Sequence, residues 1–92
     1  MQPNIVFDFA RIGNLKDFYT IAREKLALPE YFGNNLDALW DCITGDIALP
    51  VSVEFINLSL NQLEVFADLI AVFEEADAVL EDNFTFSYSL SL

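Results

Sequence analysis

The chain has no histidine, one cysteine, three glycines, three prolines and only four basic residues. Without histidine, the usual general acid–base group near neutral pH is missing. The three glycines form no phosphate-cradling loop, and no nucleophile–base pair stands out. A single cysteine, Cys42, excludes an internal disulfide and fits a cytoplasmic setting. It lies beside an apolar helical face, where a small buried hydrophobe is the plainer reading than a reactive thiol. No apolar run approaches the roughly 18 residues of a membrane span. The opening residues lack a charged start followed by an apolar core, so no signal peptide is expected. The most telling scarcity is that of positive charge. Residues 1–25 hold Arg11, Lys16, Arg23 and Lys25 against three acids, net +1, whereas residues 26–92 hold twelve acids and no base, net −12. Such a field repels nucleic acid, anionic lipid and acidic substrates, and attracts a basic protein. The alternative is that the acidity only keeps the domain soluble.

What is present is a large apolar complement. Of 92 residues, 54% are hydrophobic and thirteen are aromatic, which excludes disorder. This length makes one domain, 1–92. Ile5-Val6-Phe7-Asp8-Phe9 is a short β-rich run. Asn14 then caps a helix with Asp17 in its first turn and Leu15, Phe18, Ala22 and Leu26 as its buried stripe. Pro29 closes that region, and Gly33 is expected to supply a turn that other residues resist. Asn34 or Asn35 caps a second helix running to about Thr44, with Gly45 as its stop. Pro50 opens a strand over 51–56 in which Val51, Val53 and Phe55 alternate with Ser52 and Glu54; the Leu49–Pro50 bond can be cis, as a small minority of X–Pro bonds are. From about Leu60 to Leu80 the spacing predicts one long helix with Leu63, Phe66, Ile70, Phe73 and Leu80 as its core stripe, widened by Val65, Leu69 and Val72. Asn57 or Ser59 caps a short turn before it. Phe84, Phe86, Tyr88 and Leu90 alternate with Thr85, Ser87 and Ser89 in a last half-buried strand.

The order β-α-α-β-α-β, with helical crossovers between strands, predicts parallel pairing and right-handed connections. Polar alternation in the last two strands argues against helices on both faces. The expected fold is therefore α/β and two-layered, a small three-stranded parallel sheet with helices mainly on one side.

Residues 26–46 carry the most chemistry. Leu36, Leu39, Trp40 and Ile43 occupy one face of the second helix, while Asp37, Asp41 and Thr44 share another. Like charges four residues apart repel by a few tenths of a kcal/mol. Asp37, in the first turn, recovers roughly 0.3–1 kcal/mol from the helix dipole. Asp41, one turn later, has no such compensation, which marks it as the stronger candidate for a partner-facing charge.

The runs Leu26-Ala27-Leu28-Pro29-Glu30-Tyr31, Asn35-Leu36-Asp37-Ala38-Leu39-Trp40-Asp41-Cys42 and Thr44-Gly45, with Gly33 between the first two, closely resemble the central segment of the barstar family. These proteins are intracellular inhibitors of secreted bacterial ribonucleases of the barnase type. The strong match covers about twenty residues, and a weaker agreement of element order extends over nearly the whole chain. The resemblance implies a barstar-like fold and a plug, residues 31–46, that enters a basic active-site cleft. The acid matching Asp41 would take the place of a substrate phosphate. Asp37 and Tyr31 would form the surrounding contact, with Asn35, Trp40, Thr44, Gly45 and Asp46 nearby, and Glu75 would add a contact from the last helix. Two positions depart from the family: Asp46 stands where barstar has a tryptophan, and Ala48 where it has another acid. The partner so implied is a small basic ribonuclease or related nuclease, with no nucleic acid, membrane or cofactor and a monomer when free.

Two other readings bear on the same residues. Paired carboxylates can perform acid–base chemistry, but at helical spacing they lie side by side rather than opposed across a cleft. Metal binding would need a spaced oxygen-ligand loop, and none is visible. An acidic interaction module or nucleic-acid mimic for another basic partner remains the alternative function.

Overall fold

β2 (Val51–Leu58) is the middle strand of a three-stranded sheet, with β1 (Asn4–Asp8) on one side and β3 (Phe84–Leu90) on the other. The computed structural model describes residues 3–91. Both pairings are parallel. In register, Ile5 and Phe86 flank Val53, and Phe7 and Tyr88 flank Phe55. Paired residues share a face, so the alternation read along each strand becomes one continuous apolar surface. On it Phe7, Val51, Val53, Phe55 and Phe84 are buried; on the other face Ser52, Glu54 and Ile56 are only partly covered. The β-α-α-β-α-β order and the two-layer arrangement follow the expectation from sequence.

The register shifts between Phe55 and Leu58, where Asn57 adopts φ 60°. An extra residue of this kind reverses which side chains face the core. Leu58, of the same parity as Ser52 and Glu54, is consequently fully buried. Asn57 spans back to the first strand, its Nδ2 donating to Asp8 Oδ1 at 3.0 Å.

Helix α1 (Leu15–Lys25) begins at Asn14, whose Oδ1 accepts from the Asp17 N–H at 2.8 Å. Phe18, Ala22 and Leu26 are buried as expected, and Tyr19 joins them. Leu15 does not: it is 37% exposed and lines a shallow surface groove with Tyr19 and Leu36.

The expected single helix over 60–80 is two, α3 (Leu60–Val65) and α4 (Ala67–Leu80). They meet at Phe66 (φ −102°, ψ 20°), which is 1% exposed and makes an edge contact with Phe9 at 5.3 Å. Ser59 and Gln62 form a reciprocal capping box at the start of α3, and Gln62 Nε2 also donates to the carbonyls of Phe9 and Ile12, both at 2.9 Å. These bonds hold α3 to the turn after β1, whereas α4 packs on β3 and on α2 (Leu36–Gly45). Val65, expected in the stripe, faces outward at 58% exposure, because α3 is set by Gln62 rather than by its apolar periodicity.

Phe55 anchors the core, its ring 4.7 Å from Phe9, 4.8 Å from Phe86, 5.0 Å from Phe73, 5.6 Å from Phe7 and 5.7 Å from Phe18. β3 emerges from this core along its length: Phe84 is buried, but Tyr88 is 43% and Leu90 40% exposed. The Leu49–Pro50 peptide bond is cis.

Candidate protein-binding site

The loop before α2 is shaped from two sides. Its apolar foot is Phe32, 4% exposed, with its ring 5.6 Å from Tyr19. The Phe32 N–H donates to the Pro29 carbonyl at 3.0 Å, closing a turn around Tyr31. From α1, Arg23 donates through Nη2 to the Phe32 carbonyl at 2.8 Å and through Nε to Asn34 Oδ1 at 3.3 Å. Gly33, expected to supply a turn that other residues resist, has no positive φ; the left-handed residues of this stretch are Ala27 (φ 51°) and Asn34 (φ 53°). Asparagine tolerates this region better than most residues, so the Asn34-Asn35 pair carried the signal. Gly33 instead provides room, since a Cβ there would stand 3.3 Å from Asn35 Nδ2.

Asn35, not Asn34, caps α2: its Oδ1 accepts from the Ala38 N–H at 2.7 Å, and its Nδ2 donates to the Gly33 carbonyl at 3.3 Å. At the other end Gly45 is the last helical residue, and Asp46 follows in right-handed conformation with its N–H on the Cys42 carbonyl at 2.8 Å. The helix thus stops at Gly45 itself, one residue beyond the expected Thr44, and does so without a left-handed glycine.

Leu39, Cys42 and Ile43 lock the inner face of α2 into the core, with Leu36 and Trp40 partly buried beside them. Burial, followed by the nearby charges of Asp46 and Asp41, pushes the Cys42 thiol above its ordinary range. That favours the inert thiol over the reactive thiolate.

The outer face carries Asp37 and Asp41, both exposed. Among the described residues neither carboxylate accepts a hydrogen bond or joins an ion pair. Thr44 is partly buried and donates to the Trp40 carbonyl at 2.8 Å, so its hydroxyl is already engaged within the helix. Asn35 is likewise occupied by capping. Tyr31 is 76% exposed and donates to Asp46 Oδ2 at 3.3 Å. The Asp46 charge and this bond raise the Tyr31 phenol above the usual tyrosine range. Segment 31–46 therefore closes on itself through residues 15 apart, which no local pattern could announce. Glu75 is exposed on α4, the helix that supports α2, and makes no hydrogen bond to the segment.

No group of three or more Cys, Asp or Glu side chains is placed to hold a metal ion among the described residues. No helix among them is long and apolar enough to cross a membrane.

A small parallel sheet backed by helices, with carboxylates on the exposed face of one helix that are unpaired among the described residues, defines an acidic α/β domain with an exposed loop-and-helix surface. The sequence profile of the family described as barstar, barnase inhibitor, matches residues 2–91, and the chain belongs to this family. It is also similar to a Bacillus subtilis (strain 168) protein named "Putative ribonuclease inhibitor YrdF", 36% identical over 83 residues covering 87% of this chain and 91% of that protein.

Proposed function

We propose that this protein inhibits a small bacterial ribonuclease by placing the acidic segment 31–46 in the enzyme's basic active-site cleft. Family membership and the name of the Bacillus relative support an inhibitor rather than a catalyst. The observation that carries the mode of action is that Asp37 and Asp41, unpaired among the described residues, stand on a helix that Leu39, Cys42 and Ile43 fix in the core from its other face. A cleft built for phosphate presents cationic donors, and a carboxylate satisfies them with short charge-assisted bonds. Desolvating that carboxylate is tolerated when it is fully paired. Because the core holds α2, little ordering remains to be done on binding.

In this reading Asp41 takes the phosphate position and Asp37 lies beside it. Tyr31, Trp40 and Gly45 contribute contact area, with Asp46 adding charge at the edge and Glu75 reaching from α4. Asn35 and Thr44 act through the shape of α2, since their polar atoms are engaged within it. The whole chain, 1–92, works as one unit, monomeric when free and in the cytoplasm.

The test is RNA cleavage by a panel of small bacterial ribonucleases of the barnase type, with wild-type protein and with Asp41→Ala. Inhibition by wild type should weaken sharply in the variant. Removing one partner of a buried charge pair costs about 3–5 kcal/mol, which corresponds to roughly a hundredfold to several-thousandfold in the inhibition constant. Equal inhibition by both proteins sinks the role of Asp41. No inhibition of any enzyme leaves the acidic interaction module for another basic partner as the better reading.

A further inference from the structure

Arg23 stands apart from the acidic surface, yet it reaches into the loop that forms one end of it. It sits in the last turn of α1 and meets the loop at three points. Nη2 donates to the Phe32 carbonyl at 2.8 Å, Nε donates to Asn34 Oδ1 at 3.3 Å, and the guanidinium carbon lies 5.3 Å from the centre of the Phe32 ring. Tyr31 immediately precedes the first of these residues, and Asn35, the cap of α2, immediately follows the last. Between them Asn34 holds φ 53°, a left-handed conformation that asparagine reaches more readily than most residues, and its side chain is tied to Arg23.

From this geometry we infer that Arg23 is a positioning residue for inhibition. It fixes the Phe32–Asn34 backbone so that Tyr31 and the start of α2 are presented in their bound arrangement before the ribonuclease arrives. The inference rests on the proposed function. Arginine suits the task because its planar fork supplies several donors in fixed directions, whereas lysine offers a flexible point charge. Phe32, 4% exposed, gives the fork a rigid target.

Charge and positioning make opposite demands on Arg23. The net charge is −11, and Arg23 is one of only four bases. Removing it makes the chain more negative, and long-range attraction to a basic enzyme then speeds the encounter. Weaker inhibition after its removal therefore cannot come from the long-range field.

Two measurements test this on full-length protein, well below the unfolding midpoint and with the folded fraction checked by circular dichroism. The first is amide hydrogen exchange in the free protein. Arg23→Ala should raise exchange at residues 31–38 about tenfold or more while leaving the central strand unchanged. The second is inhibition of the barnase-type panel with association and dissociation rates separated. Arg23→Ala should weaken inhibition about tenfold or more through faster dissociation, and Arg23→Lys should lie between it and wild type. Unchanged loop exchange overturns the inference, as does a loosened loop with unaltered dissociation. If wild type inhibits no enzyme, the functional reading fails by itself, and exchange alone decides whether Arg23 holds the loop.

Discussion

Tyr31 donates its hydroxyl to Asp46 Oδ2 across 3.3 Å, joining the loop before α2 to the residue that follows it. The separation is long for an O–H donor, so the electrostatic share dominates. The Asp46 charge, reinforced by burial and by this bond, holds the Tyr31 phenol above the ordinary value of 10.0. Asp46→Asn should let Tyr31 ionise at lower pH. Ultraviolet titration of tyrosinate, with Tyr31→Phe to assign the signal, reads the shift, and an unmoved curve would show that the two groups do not interact. A raised phenol pKa means that the fold favours the protonated form, so this contribution is present below the usual tyrosine range and is lost as pH climbs through the raised value.

Asp37 and Asp41 should separate into different roles when folding and inhibition are measured on the same variants. Asp37→Ala removes a first-turn carboxylate and should lower stability by up to about 1 kcal/mol. Asp41→Ala relieves the repulsion one turn later and should leave stability unchanged or raise it by a few tenths of a kcal/mol. In inhibition the order should reverse, with Asp41→Ala the more damaging. Urea unfolding beside inhibition kinetics makes the comparison; a large stability loss in Asp41→Ala would contradict it.

Phe55→Ala should destabilise the fold by about 3–5 kcal/mol, because a fully buried ring in contact with five other rings leaves a cavity that the sheet cannot close. Val65→Ser, on an outward-facing position of α3, should change stability by less than about 0.5 kcal/mol. Denaturant midpoints with matched slopes distinguish the two. A near-neutral Phe55→Ala would mean that the aromatic cluster is not the centre of the core.

Asp8 is held below the usual carboxylate value of 3.8 by the Asn57 side chain first, then by the Ala10 N–H, with the Arg11 charge assisting and partial desolvation opposing. A lowered carboxylate stabilises the fold above its unfolded value and loses that contribution as pH falls through the lowered one. Asp8→Asn should therefore unfold at a lower temperature than wild type near neutrality, and the gap should narrow as pH drops below 3.8. A gap independent of pH would place the effect in packing rather than in charge.

Periodicity was enough for the helices and strands that bury one regular face. Phe18 and Ala22 on α1, Leu39 and Ile43 on α2, and Val51, Val53 and Phe55 on β2 are buried as their spacing predicts. It misled where a specific bond overrode the pattern. Gln62 holds α3 by two backbone carbonyls some fifty residues away in sequence, so the helix breaks at Phe66 and Val65 faces outward. Gly33 and Gly45 stand where a turn and a helix stop are expected, yet neither takes positive φ; Asn34 does, held by Arg23. In the candidate site, the Asp37–Asp41 pair and the Asn35 cap were readable because both are local to one helix. The Tyr31–Asp46 and Arg23–Phe32 bonds were not, because each depends on how separate segments meet.

The sequence by itself determined the α/β order, the aromatic core, the acidic field and two like charges on one helical face, since each depends only on spacing and residue type. The tertiary structure decided which of those charges remain unpaired, which asparagine caps α2, and what holds the loop in front of it. Those outcomes arise from contacts between residues distant along the chain, where packing of the core, rather than local preference, sets which polar groups come within reach of one another.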